Sequence, residues 1–183
     1  MLMAGDWTPG ADGANGRPEV VVLVGLQGSG KSSFYRRRFA GTHVLVSRDL
    51  FRNAPRPSRR QRELIEQALR GGRSVVVDNT SPTVADRAAI LAVAREHGAR
   101  TACCFFGRDV RAAIARNERR AGKDRVPVVG ILATARRLVA PTAGEGFDVV
   151  LAVAPEAEGS FAVREIDRAP GAPRGGGGGP ASP

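Results

Sequence analysis

Five short runs in which almost every residue is apolar recur along the chain: Glu19–Val24 (EVVVLV), His43–Ser47 (HVLVS), Ser74–Val77 (SVVV), Arg100–Phe106 (RTACCFF) and Phe147–Val153 (FDVVLAV). They are too short for typical helices and lack strict polar alternation, so they predict strands buried on both faces. The intervening segments carry helical spacing. Lys31–Ala40 is a short helix, and Arg59–Arg70 places Leu64, Ile65, Ala68 and Leu69 on one face. Pro82–His97 has Pro at its first turn, apolar Ala85, Ala88, Ala89, Leu91 and Ala92, and a Gly98 stop. Asp109–Ala121, with Asp109 as N-cap, and Pro127–Ala140 complete the set. Phe161–Ile166 reads as a short additional edge strand. Apolar strands alternating with helices imply an α/β domain of three layers: a five-stranded parallel sheet with helices on both faces. Ligands in such sheets bind beyond the carboxyl ends of the strands. Chemistry is therefore expected in Gly25–Ser33, Ser47–Arg52, Asp78–Thr80 and the loops after Phe106 and Val153.

The 183 residues, 42 % hydrophobic and 25 % charged, suit one globular domain. Gly/Ala/Asp-rich residues 1–16 read as a disordered extension and the Gly/Pro-rich residues 168–183 as a disordered tail, leaving residues 17–167 as the domain. No apolar run reaches 18 residues and the start lacks a basic and an apolar region, so neither a transmembrane helix nor a secretory leader is expected. The two cysteines, Cys103 and Cys104, are adjacent, read as packing residues, and fit a reducing, cytoplasmic setting. His43 and His97 take no assigned role.

Charge alters the picture. The net charge is +10, and only Lys31 and Lys123 are lysines. Between Arg17 and Ala154, 25 basic residues stand against 12 acidic ones, while both ends are slightly acidic. Basicity concentrated in the folded part points to a polyanionic partner such as nucleic acid, against the simpler reading of an Arg-rich composition.

The sequence Gly25-Leu26-Gln27-Gly28-Ser29-Gly30-Lys31-Ser32 matches G-x-x-x-x-G-K-[ST] between a predicted strand and a predicted helix. Its glycines let successive N–H groups, on to Ser33 in the helix's first turn, converge on phosphate at a helix N-terminus. Lys31 is expected on the β- and γ-phosphates and the Ser32 hydroxyl on Mg²⁺. The loop alone does not separate a kinase from a hydrolase or a switch.

On the acceptor side, Asp49 stands at a strand's carboxyl end, where a carboxylate could take a hydroxyl proton; it could equally cap a short helix. Arg52 lies close to it and could fork onto an acceptor phosphate. Six arginines and one acid occupy Arg48–Arg62, either a backbone-binding stretch or a solvated basic face. Asp78 could meet Mg²⁺ through water or, with Asn79, help hold the acceptor; both also suit a cap ahead of Pro82. Arg116 and Arg120 share a helix face and could close over the nucleotide as an in-cis arginine finger.

Together these motifs resemble the P-loop polynucleotide 5′-hydroxyl kinases, the phage and animal end-healing enzymes, over roughly Val20 to Val150. The likeness rests on the Walker loop, Arg48-Asp49-x-x-Arg52, Asp78-Asn79-Thr80-x-Pro82 with Arg87, Arg116-Asn117-x-x-Arg120, Val126-Pro127, and Pro141-Thr142-x-x-Glu145-Gly146-Phe147. It implies the three-layer P-loop kinase fold, ATP with Mg²⁺ as donor, and nucleic-acid 5′ ends as substrate. It further implies Asp49 as general base, Arg52 on the acceptor's 3′-phosphate, Arg120 on the donor phosphates and Arg116 near the nucleotide. Gln27 stands where many relatives have Pro, and the D-x-D signature of the partner phosphatase is absent. Two other readings stay open: a P-loop kinase for a small hydroxylated molecule (nucleoside, sugar or antibiotic), and a non-catalytic ATP-binding module.

Overall fold

The computed structural model describes residues 16–51, 53–122 and 125–172. Five strands, β1 (Glu19–Val24), β2 (Val44–Val46), β3 (Val75–Asp78), β4 (Arg100–Phe105) and β5 (Val149–Pro155), lie parallel in the order β2-β3-β1-β4-β5. The predicted strands all form, most with ends shifted by one or two residues. β6 (Phe161–Arg168) pairs antiparallel with β5, so the sheet has six strands and is mixed, not five-stranded and parallel. The connection dictates that direction. Only a one-turn 3₁₀ segment (Ala157–Gly159) separates the two strands, closed by Glu156 N–H to the Ser160 carbonyl, and a parallel return needs a crossover of a dozen residues or more. β6 also continues through Arg168, the residue where the sequence suggests a tail begins.

β1 shows why its sequence reads as unbroken apolarity. Val20, Val22 and Val24 face a core shared with α2 (Pro57–Arg70), α3 (Val84–Glu96), α4 (Val110–Glu118) and α5 (Val128–Arg137). Val21 and Leu23 face the other core, filled by Phe34 and Phe39 of α1 (Lys31–Arg38) and its C-cap. Phe34 anchors that side, edge-on to Phe39, Phe106 and Phe161 at centroid distances of 5.6, 5.5 and 5.1 Å.

Helix ends differ from the periodicity reading where local chemistry decides. α2 starts at Pro57, because Pro fits the first turn. α3 starts at Val84: Thr83 and Asp86 form a reciprocal capping box that fixes the boundary after Pro82. α4 begins after the Asp109 cap as expected but stops at Glu118, with the Arg120 N–H turned back to Asn117. α5 ends at Arg137, where Leu138 goes extended and the Val139 N–H bonds to the Pro82 carbonyl.

β3 and β4 flank β1, so the chain's path reverses there and the crevice opens beyond the carboxyl end of β1. Among the described residues no helix is long and apolar enough to cross a membrane.

Candidate active site

The first turn of α1 grows directly out of β1. Gly30 caps the helix at φ +105°, and Gly28 sits at φ +81°. A Cβ on Gly28 would meet the Ala113 carbonyl oxygen at 2.5 Å, so only glycine lets α4 rest on the loop backbone. Arg116 reinforces that contact by donating from Nη1 to the Gly28 carbonyl at 3.2 Å. The leading N–H groups of α1 have no intrahelical partner and no acidic side chain in the first turn, leaving a positive helix end.

A cavity of about 750 Å³ opens over this helix end. Gln27, Gly28, Gly30, Lys31, Ser32 and Ser33 of the loop and first turn line it together with Asp49, Asp78, Asn79, Arg120, Arg125 and Val126. Most of the residues singled out from the sequence thus converge. Gly25 and Ser29 lie beneath the surface instead: the Gly25 carbonyl accepts from Lys31, and Ser29 is buried with an unpartnered hydroxyl. Arg116 holds the loop from outside the lining. Arg52 lies outside the described residues.

Lys31 is buried, with Nζ donating to the Gly25 and Leu26 carbonyls at 3.0 and 2.7 Å. Burial pushes its pKa down to about 8, Arg120 adds to the fall, and Asp78 and Asp49 oppose it. Those couplings place Lys31, Asp49, Asp78 and Arg120 in one electrostatic field. Ser32 Oγ donates to Asp78 Oδ2 at 2.6 Å, joining the loop to the end of β3. A prediction follows from Lys31. Phosphates arriving at Nζ favour the ammonium, so its pKa rises on binding. ATP binding at pH 8.5 is expected to take up roughly half a proton or more, an uptake that fades by pH 6.5, where Lys31 is already charged. Calorimetry in two buffers of different ionisation enthalpy measures it; equal uptake in Lys31→Met would show that another group is responsible.

The basic stretch looks different in three dimensions. Arg59 pairs with Glu63 at 2.8 Å, and Arg62 with Glu66 at 2.7 Å and also with Glu96. Arg60 reaches Glu63 at 3.7 Å. The acids that follow Arg62 sit one helical turn on and occupy the arginines that precede them. Arg48 differs: its guanidinium is held by neutral oxygens, Gln61 Oε1 at 3.3 Å and Ser58 Oγ at 3.4 Å.

Arg87, Asn117 and Glu145, which the motifs include without an assigned role, support the site. Arg87, fully buried on α3, forms a two-point pair with Glu145, both contacts at 2.7 Å. Its Nη1 donates to the Ser81, Pro82 and Val139 carbonyls at 3.1, 3.4 and 3.1 Å. Ser81, in the cavity wall, has φ +41°, a left-handed conformation rare outside glycine. Asn117, also fully buried, exchanges two bonds with the Val126 backbone at 2.7 and 2.9 Å, joining the two ends of the segment that carries Arg120. Arg87 and Asn117 are polar residues on the apolar stripes of their helices, and that mismatch is the local signal of their support role.

A mostly parallel sheet with a glycine-rich loop feeding α1, and lysine, hydroxyl and carboxylates around one cavity, defines a P-loop kinase-type nucleotide-binding protein. Residues 20–141 match the AAA domain family AAA_33, and the chain belongs to that family. Among solved structures, a chain of the Pnkp1/Rnl/Hen1 RNA repair complex is 25 % identical with a TM-score of 0.55, covering 67 % of this chain. The match spans only 44 % of that longer chain. A fungal RNA kinase is 13 % identical at TM-score 0.57, covering 77 % of this chain and 76 % of the kinase. A gluconokinase from Sinorhizobium meliloti 1021 is 21 % identical at TM-score 0.55, covering 74 % of this chain and 83 % of the gluconokinase. The last two share the fold, and the three together leave the acceptor open.

Proposed function

We propose that this chain transfers the γ-phosphoryl group of ATP to the 5′-hydroxyl of a DNA or RNA strand. The observation that carries the proposal is the sharing of one cavity by Lys31 and Asp49, on loops after different strands, with Asp49's charge felt at Lys31. In this reading the loop N–H groups and Lys31 hold the ATP phosphates. Asp49 accepts the acceptor's hydroxyl proton as that oxygen bonds to the γ-phosphorus. The bond from the γ-phosphorus to the β,γ-bridging oxygen breaks, and ADP leaves with the electron pair. Arg120, which lines the same cavity, is suited to the charge spread over the oxygens of the transferring group. Ser32 Oγ and Asp78 are hard oxygen donors that fit Mg²⁺, and together they would hold it. The ion's chemistry there is charge neutralisation on the phosphates.

A nucleic-acid acceptor is supported by the basic domain, by Arg48 beside Asp49, whose guanidinium meets no carboxylate among the described residues, and by the likeness to the RNA repair chain. The competing reading, a small hydroxylated acceptor, draws on the carboxylate pairing of Arg59, Arg60 and Arg62. Transfer from γ-labelled ATP to a panel of 5′-hydroxyl oligonucleotides, free nucleosides and sugars separates the two. Label on the oligonucleotides is the expected result. Label on a small alcohol alone would replace the acceptor, and ATP binding with no transfer would reduce the chain to a nucleotide-binding module.

A further inference from the structure

We infer that Gln61 is a positioning residue that fixes, from α2, the turn bearing Asp49; its catalytic meaning rests on the transferase reading above. Asp49 lies in a single 3₁₀ turn, Arg48–Phe51, exposed and too short to hold itself. Besides the Leu50 N–H bond to the Ser47 carbonyl and the packing of Phe51 on the core, a closed ring of three bonds ties the turn to α2 and the end of β3. The Arg48 backbone N–H donates to Asn79 Oδ1 at 3.0 Å, Asn79 Nδ2 donates to Gln61 Oε1 at 2.8 Å, and Arg48 Nε donates to the same Oε1 at 3.3 Å.

The polarity of the ring is set by chemistry. Both Arg48 groups can only donate, so Asn79 must present its oxygen to one and Gln61 its oxygen to the other. Asn79 then spends one lone pair and one N–H of its amide on the ring, a support role that stands beside the acceptor contact expected for it. Gln61 is buried on the face of α2 that also carries Ile65, Ala68 and Leu69, a costly place for an amide unless its bonds are specific. It lines the main cavity and also a groove of about 340 Å³ between α2 and α3, so it stands where the acceptor wall is built. The ring ties three elements together: α2, the end of β3 and the turn after β2.

Gln61→Met keeps length and volume but removes the acceptor oxygen, whereas Gln61→Glu keeps an oxygen for both donors. Asn79→Asp keeps the bond to Arg48 but sets a carboxylate oxygen against Gln61 Oε1. The test measures amide hydrogen exchange over residues 48–51, and kcat and KM for labelled transfer, in wild type, Q61M, Q61E and N79D. A small displacement of a catalytic group costs up to about 100-fold in rate. Q61M and N79D are expected to speed exchange over 48–51 and lower kcat about 10- to 100-fold, with ATP affinity within twofold. Q61E is expected to recover at least tenfold of the Q61M loss. In an Asp49→Asn background Q61M should add little, because it acts through that carboxylate; an additive loss would mark a general structural role and overturn the inference. Unchanged exchange in Q61M would overturn it whatever the rates. If wild type phosphorylates no acceptor, the transferase reading fails, while the exchange result still decides whether Gln61 holds the turn.

Discussion

Asp49→Asn is expected to lower labelled transfer by about 10²- to 10⁴-fold, the range spanned by general-base catalysis, while ATP affinity stays within twofold. The side chain is nearly isosteric, so the turn at Arg48–Phe51 keeps its shape, and the clamp on Arg48 does not use the Asp49 carboxylate. What changes is the ability to accept a proton. Asp49 also raises the pKa of Lys31, so its loss lets that pKa fall further below about 8. At pH 7 or below Lys31 remains largely charged, and the comparison belongs there. The measurement is steady-state transfer beside ATP titration by calorimetry. A loss under tenfold would remove Asp49 as the base, and an equal loss in ATP affinity would move it to the donor site.

Arg87→Met is expected to destabilise the fold by about 3–5 kcal/mol, the usual cost of leaving one member of a buried ion pair without its partner. Glu145 would remain nearly buried with its charge uncompensated, and the Ser81, Pro82 and Val139 carbonyls would lose their shared donor. The effect is local as well as global. Ser81 keeps its left-handed backbone only while that carbonyl network holds, and the segment from Asn79 to Pro82 forms a wall of the cavity. Replacing both charges, as Arg87→Met with Glu145→Met, is expected to recover part of the loss, because no lone charge stays behind. Urea unfolding of the two singles and the double measures the coupling. Additive losses would mean that the pair is not an energetic unit.

The sequence made the sheet and the donor site legible because both depend on local rules. Apolar runs without alternation and too short for a helix read as strands covered on both sides, and Gly25–Ser32 states its geometry in its own residues. β6 was legible as a strand but not in its direction or length, since its polar sequence, FAVREIDR, is that of an edge and its pairing follows from the short return after β5. The site's supports were harder to see. Gln61, Arg87 and Asn117 interrupt apolar helix faces, but their partners are a side-chain amide N–H on another loop, a carboxylate 58 positions away or a backbone group beyond the next turn. Such pairings exist only once the chain has folded. The stretch Arg48–Arg62 reads two ways in sequence, and helical spacing, which sets Glu63 and Glu66 one turn beyond Arg59 and Arg62, makes ion pairs of its second half.

The account turns on an acceptor oxygen fitting between Asp49 and the phosphoryl group held at Lys31. A structure of the protein with ADP, aluminium fluoride and a 5′-hydroxyl oligonucleotide tests that placement directly. The predicted result is the terminal 5′ oxygen in line with the aluminium fluoride and within about 3 Å of an Asp49 carboxylate oxygen. A 5′ oxygen bound to another side chain, with Asp49 facing solvent, would contradict it.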